Sequence, residues 1–217
     1  MDALTLMRIH RSSFDNSELV KVSIEQASES ENILVREQAL SLLKSLNREK
    51  LIPREAILTL IDSRFEESQS VGLQLLAKVD PSLTIEMANK YLKNSKPELQ
   101  AVALNFLGEL DPQQAREVAR RKLNSAYTQV RVQGFLTLQK LKEPVDENLR
   151  SQIVEALIEE IQSTRFVGHE RMSRLWLLHE VDAGRAIAVA ESMMAAKQLG
   201  TLPENFLRTV QTGQSEK

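Results

Sequence analysis

The chain has 217 residues, of which 42% are hydrophobic, with a formal net charge of −2 and no cysteine. That length and apolar content suffice for a substantial core, while the lack of cysteine excludes disulfides, thiolate metal sites and a cysteine nucleophile. A slightly acidic chain also lacks the net basic surface of a protein built to wrap a phosphate backbone, although a local basic patch stays open.

No apolar run approaches the roughly 18 residues of a membrane span. The opening Met1-Asp2-Ala3-Leu4 lacks the basic-then-apolar order of a secretory signal. The expected location is the cytoplasm, with no membrane contact. Only 7 glycines and 6 prolines interrupt the chain, which suits helices joined by short turns.

Residues 1–16 read as an N-terminal cap or arm, and helices in pairs follow. The first pair is predicted near 17–28 and 34–46. Its second member carries Val35-Arg36-Glu37-Gln38-Ala39-Leu40-Ser41-Leu42-Leu43, with apolar residues at helical spacing around a small one. The second pair, near 53–64 and 68–79, repeats the pattern around Gly72. The third, near 82–93 and 97–109, centres on Ala103, and the fourth, near 112–124 and 127–141, on Gly134. A longer fifth pair, near 146–162 and 170–181, has Arg174 at the central position. A sixth, near 183–197 and 203–211, leaves 212–217 as a tail.

Self-similarity at about thirty-residue intervals marks a stacked repeat array, in which each unit buries its apolar face against its neighbours. A small central residue admits a closely approaching helix. Glycine costs about 1 kcal/mol against alanine in a helix interior, so Gly72 and Gly134 imply a tight contact that offsets the loss. Punctuation repeats as well, in Val79-Asp80-Pro81, Leu110-Asp111-Pro112 and Val181-Asp182-Ala183. Each Asp is expected to cap the next helix, and proline fits the first helical position because its missing N–H is not needed there.

The openings Val35-Arg36 and Val130-Arg131, each followed by a small residue and a leucine-rich stretch, resemble the HEAT-repeat family, in particular its short bacterial form. Pro81 and Pro112 stand away from that family's commonest proline position. The resemblance covers about residues 17–200 and implies an all-α fold, a right-handed α-α superhelix or solenoid of about five to six helical hairpins, and 1–217 is read as one domain. It also implies that second helices line a concave groove. Some members of this class are DNA glycosylases for alkylated bases, and others are bilin lyases or lyase-like chaperones.

Counting from the central residue gives each side chain a place on that groove. Arg36, Gln69, Gln100, Arg131 and Arg171 stand three places before it, and Ser41, Gln74, Asn105, Leu136 and Trp176 two places after. Trp176 breaks a largely polar series. With Leu136, Arg131, Arg171 and His179 it is expected to form an aromatic–basic patch that binds another protein, because Trp and Arg recur among interface hot spots. Burial beneath the terminal helices or the 163–168 loop is the other reading of Trp176. The cluster Arg116, Arg120, Arg121 and Lys122 could take phosphate or an acidic partner, or form a solvated face with Glu117 as partial counter-charge.

Catalytic chemistry finds no motif. His10, His169 and His179 have no metal-ligand spacing, and His169-Glu170 begins no H-E-x-x-H sequence because Ser173 stands where the second histidine would. The pairs Glu66-Glu67 and Glu159-Glu160 are adjacent in sequence, so their carboxylates diverge on a helix. The reading is a non-enzymatic scaffold or adaptor that presents a groove to a partner protein, without cofactor or metal. Nucleic acid is the alternative partner, and the glycosylase-like and bilin-lyase-like classes are the alternative functions.

Overall fold

The computed structural model describes residues 16–47, 52–93 and 96–212. The expected N-terminal arm through residue 15, His10 within it, and the tail from 213 lie outside the described residues. Among the described residues the fold is all helix. The helices are α1 Asn16–Glu29, α2 Ile33–Asn47, α3 Arg54–Ile61, α4 Glu66–Val79, α5 Pro81–Tyr91 and α6 Pro97–Leu110, followed by α7 Pro112–Lys122, α8 Thr128–Lys140, α9 Glu147–Gln162, α10 Gly168–Val181, α11 Ala183–Ala195 and α12 Leu202–Gln211. They fall where the apolar periodicity puts them. The largest difference is α3, which ends at Ile61 rather than near residue 64 because the chain turns at Asp62.

The helices form two compact units, Met1–Ala115 and Arg116–Lys217. In the first, α1 packs on α2, α3 on α4 and α5 on α6, while α1 also meets α3, and α4 meets both α2 and α6. First helices thus touch first helices, and second helices touch second helices. In the second unit α9 packs on α10, α11 packs on both α10 and α12, and α8 meets both α9 and α10.

The small central residues lie at the closest approaches. Ala39 and Ala103 are fully buried. A Cβ on Gly72 would stand 2.9 Å from Ile61 Cγ1 and 3.0 Å from both Ile61 N and Leu60 Cβ, all on α3. A Cβ on Gly134 would stand 3.1 Å from the Ala119 carbonyl oxygen and 3.4 Å from Leu123 Cδ2. Each glycine therefore lets α4 or α8 touch the first helix of its own hairpin nearly backbone to backbone.

The repeated aspartates cap as their position implies. Asp80 accepts from the Leu83 amide, Asp111 from Gln114 and Asp182 from Arg185, each at 3.0 Å. The Leu83 hydrogen bond is the main reason the Asp80 carboxyl sits below its ordinary range. The nearby Arg54 guanidinium, 3.0 Å from Asp80 Oδ2, adds to this, and desolvation opposes it. Proline occupies the first turn of α5, and α7 begins on Pro112.

Helix C-termini leave carbonyls without intrahelical partners, and side chains from other segments satisfy several of them. Ser68 and Ser63 donate to the carbonyls of Ala27 and Ser28 at the end of α1. Tyr91 donates to the Ile61 carbonyl at 3.1 Å, and Arg150 to that of Val181 at 3.1 Å.

Candidate functional site

The polar series three places before the centre turns inward. Arg36 donates to the carbonyls of Ser30 and Glu31, at 2.9 and 3.1 Å, and Gln69 to that of Ser63 at 2.7 Å. Arg131 repeats the bond on Ser125 at 3.3 Å and adds the Thr128 hydroxyl at 3.1 Å. In each case the acceptor lies six residues upstream, in the turn between the two helices of a hairpin. A long donor at this position therefore closes the turn that precedes its own helix. This is what the Val-Arg pair does in this chain.

Arg171 needs correction as an expected partner contact. It is buried, donating through Nε to the Ile161 carbonyl and through Nη2 to Gln198 Oε1 at 3.0 Å. Its charge braces the end of α9 against the α11–α12 connection, and a side chain so enclosed cannot also meet a partner.

Trp176 is half-buried on α10, whose Leu175, Leu178 and Val181 form the buried stripe. His179 follows three residues later, and that spacing puts both rings on one side of the helix. The helix α12 supplies the third ring. Its buried Pro203, Phe206 and Leu207 recur at helical spacing and lay Phe206 against α10. The Trp176 and Phe206 ring centres are 4.6 Å apart, with their planes at 65°. His179 stands 6.0 Å from Trp176 and 5.9 Å from Phe206, edge-on to both. Such edge-to-face triads add about 0.5–1.5 kcal/mol per pair beyond simple burial.

The tryptophan thus packs against the terminal helix, with part of its surface left accessible. Leu136 is half-buried against the same apolar core as Trp176. Of the five expected site residues, Trp176 and His179 come together, Leu136 borders their core, and Arg131 and Arg171 are engaged elsewhere. Phe206 is the member that sequence reasoning missed. Its apolar stripe was visible, but nothing local said which rings it would meet.

Arg174 keeps its place at a small-residue position by finding two partners. Its guanidinium lies 3.8 Å over the Phe166 ring, and Nε is 2.6 Å from Glu160 Oε2. The basic cluster of α7 is partly neutralised, by Glu143 rather than by Glu117. The Glu143 carboxylate takes Arg116 and Arg120, each at 2.7 Å. Burial lowers the pKa of Lys122, and neighbouring Arg121 adds to the effect. Three of the paired glutamates are likewise engaged, Glu66 by Lys96, Glu67 by Arg36 and Glu160 by Arg174.

No model of a known protein family matches the chain, and a search of the curated proteins finds no match. Among the described residues no group of three or more His, Asp or Glu is placed to hold a metal ion. No helix there is long and apolar enough to cross a membrane.

Proposed function

We propose that this chain is a cytoplasmic, non-enzymatic scaffold of the HEAT-like solenoid type that binds another protein, with Trp176 as its principal anchor. The observation that carries the proposal is the aromatic triad of Trp176, His179 and Phe206. It holds a large ring in a fixed orientation at little further entropic cost, and leaves part of that ring exposed. Rigid, partly exposed Trp side chains beside apolar surface are the residues on which interface energy concentrates. Leu136 extends the apolar border. A nucleic-acid-binding role, as in the glycosylase-like alternative, is favoured less because Glu143 takes up two of the four cations clustered on α7.

The test is affinity capture from the native host with wild-type chain, Trp176→Ala and Trp176→Phe, each checked for helical content and melting temperature. A partner protein should be retained by wild type, partly by Trp176→Phe, and at least tenfold less by Trp176→Ala. Equal capture by all three would remove Trp176 from the interface. Capture of nucleic acid, falling by orders of magnitude between about 50 and 200 mM salt, would replace the protein-scaffold reading.

A further inference from the structure

Arg131 stands apart from Arg36, the other arginine that closes a hairpin turn. Arg36 has Glu67 within 3.6 Å, whereas Arg131 has only a carbonyl and a hydroxyl as partners. Among the described residues no carboxylate pairs with it. A guanidinium has five N–H donors, and two of those on Arg131 are committed, so most of its hydrogen-bonding capacity is open. Its side chain is half-buried, which makes any added charge-assisted hydrogen bond stronger than one made in bulk water.

Arg131 lines a half-enclosed recess of about 310 Å³, together with Leu123, Asn124, Ser125, Leu149, Gln152 and Ile153. The volume is at the lower end of the range of roughly 300–1,000 Å³ found for ligand sites. The half-buried Leu123 and Leu149 give an otherwise polar lining an aliphatic edge, with Ile153 buried beneath it, while Asn124 and Gln152 bring neutral amides that can both donate and accept. Arg131 is the single charge in the lining, and no acidic residue competes for it. The combination of one cation without a carboxylate partner, two amides and a leucine edge matches a chain end. A terminal carboxylate suits the guanidinium, the last peptide group suits the amides, and a small branched aliphatic side chain suits the edge made by Leu123 and Leu149.

We propose that this recess binds the C-terminal carboxylate of a peptide ending in a branched aliphatic residue. The proposal deepens the scaffold reading only in taking the partner to be a protein, and it does not depend on Trp176.

The experiment uses the full chain and a fluorescein-labelled hexapeptide ending in Ala-Ala-Val, as free acid and as C-terminal amide, followed by fluorescence anisotropy. The free acid should bind at least tenfold more tightly than the amide. Arg131→Gln should erase that difference without disturbing the fold, because Gln69 already makes the equivalent turn-closing bond. Gln152→Glu, at an exposed position of the rim, should weaken the acid by placing a like charge beside it. Equal binding of acid and amide overturns the proposal, as does Arg131→Gln binding the acid at wild-type strength. Isovalerate competing as well as the peptide also overturns it, since the ligand would then be a free small acid. Trp176→Ala should leave this peptide affinity unchanged, so failure here and failure of the Trp176 surface are separable.

Discussion

Replacing three glycines by alanine, one at a time, separates close helix contact from helix propensity. Alanine is favoured over glycine in a helix by about 1 kcal/mol, and that gain applies in full only where the new methyl has room. At Gly184 in α11 the added Cβ would meet only Asp182 Oδ1, at 3.6 Å. Gly184→Ala should therefore stabilise, by up to about 1 kcal/mol. At Gly134 the nearest atom is a backbone oxygen at 3.1 Å, and a shift of a few tenths of an ångström should cancel the gain, leaving a change within about 0.5 kcal/mol.

At Gly72 the three nearest atoms lie at 2.9, 3.0 and 3.0 Å, and two of them, Ile61 N and Leu60 Cβ, are fixed by the α3 backbone. Overpacking of this kind costs about 1–3 kcal/mol, and the upper end applies because α3 must move as a whole. The net loss for Gly72→Ala is then about 2 kcal/mol, or roughly 4–8 °C in melting temperature for a chain of this size. Urea denaturation followed by far-UV circular dichroism reads all three. Emission from Trp176, the chain's 1 tryptophan, reports separately on the unit that holds Gly134 and Gly184. The order Gly184→Ala above wild type, Gly134→Ala near it and Gly72→Ala below it is required. A Gly72→Ala variant as stable as wild type would refute the claim that the small central residue sets the helix contact.

Two further substitutions test local geometry. Lys142 ends α8 in the left-handed region at φ 58, where Glu143 N donates to Leu138 O at 2.9 Å and Lys142 N to Gln139 O at 3.0 Å. Glycine adopts that conformation without Cβ strain, so Lys142→Gly should stabilise by about 0.5–1 kcal/mol, and an unchanged or lower urea midpoint would count against the assigned helix end. Burial, reinforced by the Asp62 charge, pushes the Tyr91 phenol up to about 12 from its ordinary 10.0. A raised folded-state value means that the phenol's contribution is complete below pH 10 and lost as the pH rises through about 12. Tyr91→Phe should lose about 1 kcal/mol at neutral pH, the worth of its hydrogen bond. It should also show a flatter stability profile between pH 10 and 12 than wild type, and identical alkaline slopes would contradict the burial.

Much of this fold was legible because it is made by neighbours in sequence. An aspartate before a proline or alanine caps the next helix from three residues away, and apolar positions at helical spacing mark a buried stripe whichever helix covers it. The same frame misassigned Arg171 and left Arg131 ambiguous. It gave their place along the helix but not the direction of flexible side chains, which turn back onto carbonyls that only hairpin closure brings near. Arg174 shows the converse. A bulky cation at a small-residue position looks like a defect until Phe166 and Glu160 are brought beside it.

The sequence by itself determined the helices, their order, the repeated aspartate caps and the small residues, Ala39, Gly72, Ala103 and Gly134, that mark close helix contacts. Each depends on contacts within about one helical turn or on a repeated pattern that averages over many residues. Tertiary structure decided which charges are spent inside the molecule, which ring meets Trp176, and which turn-closing arginine is left without a carboxylate partner. Those outcomes depend on pairs such as Trp176 with Phe206 and Arg116 with Glu143, set tens of residues apart. For such pairs, proximity is a property of the packed helices and leaves no trace in local spacing.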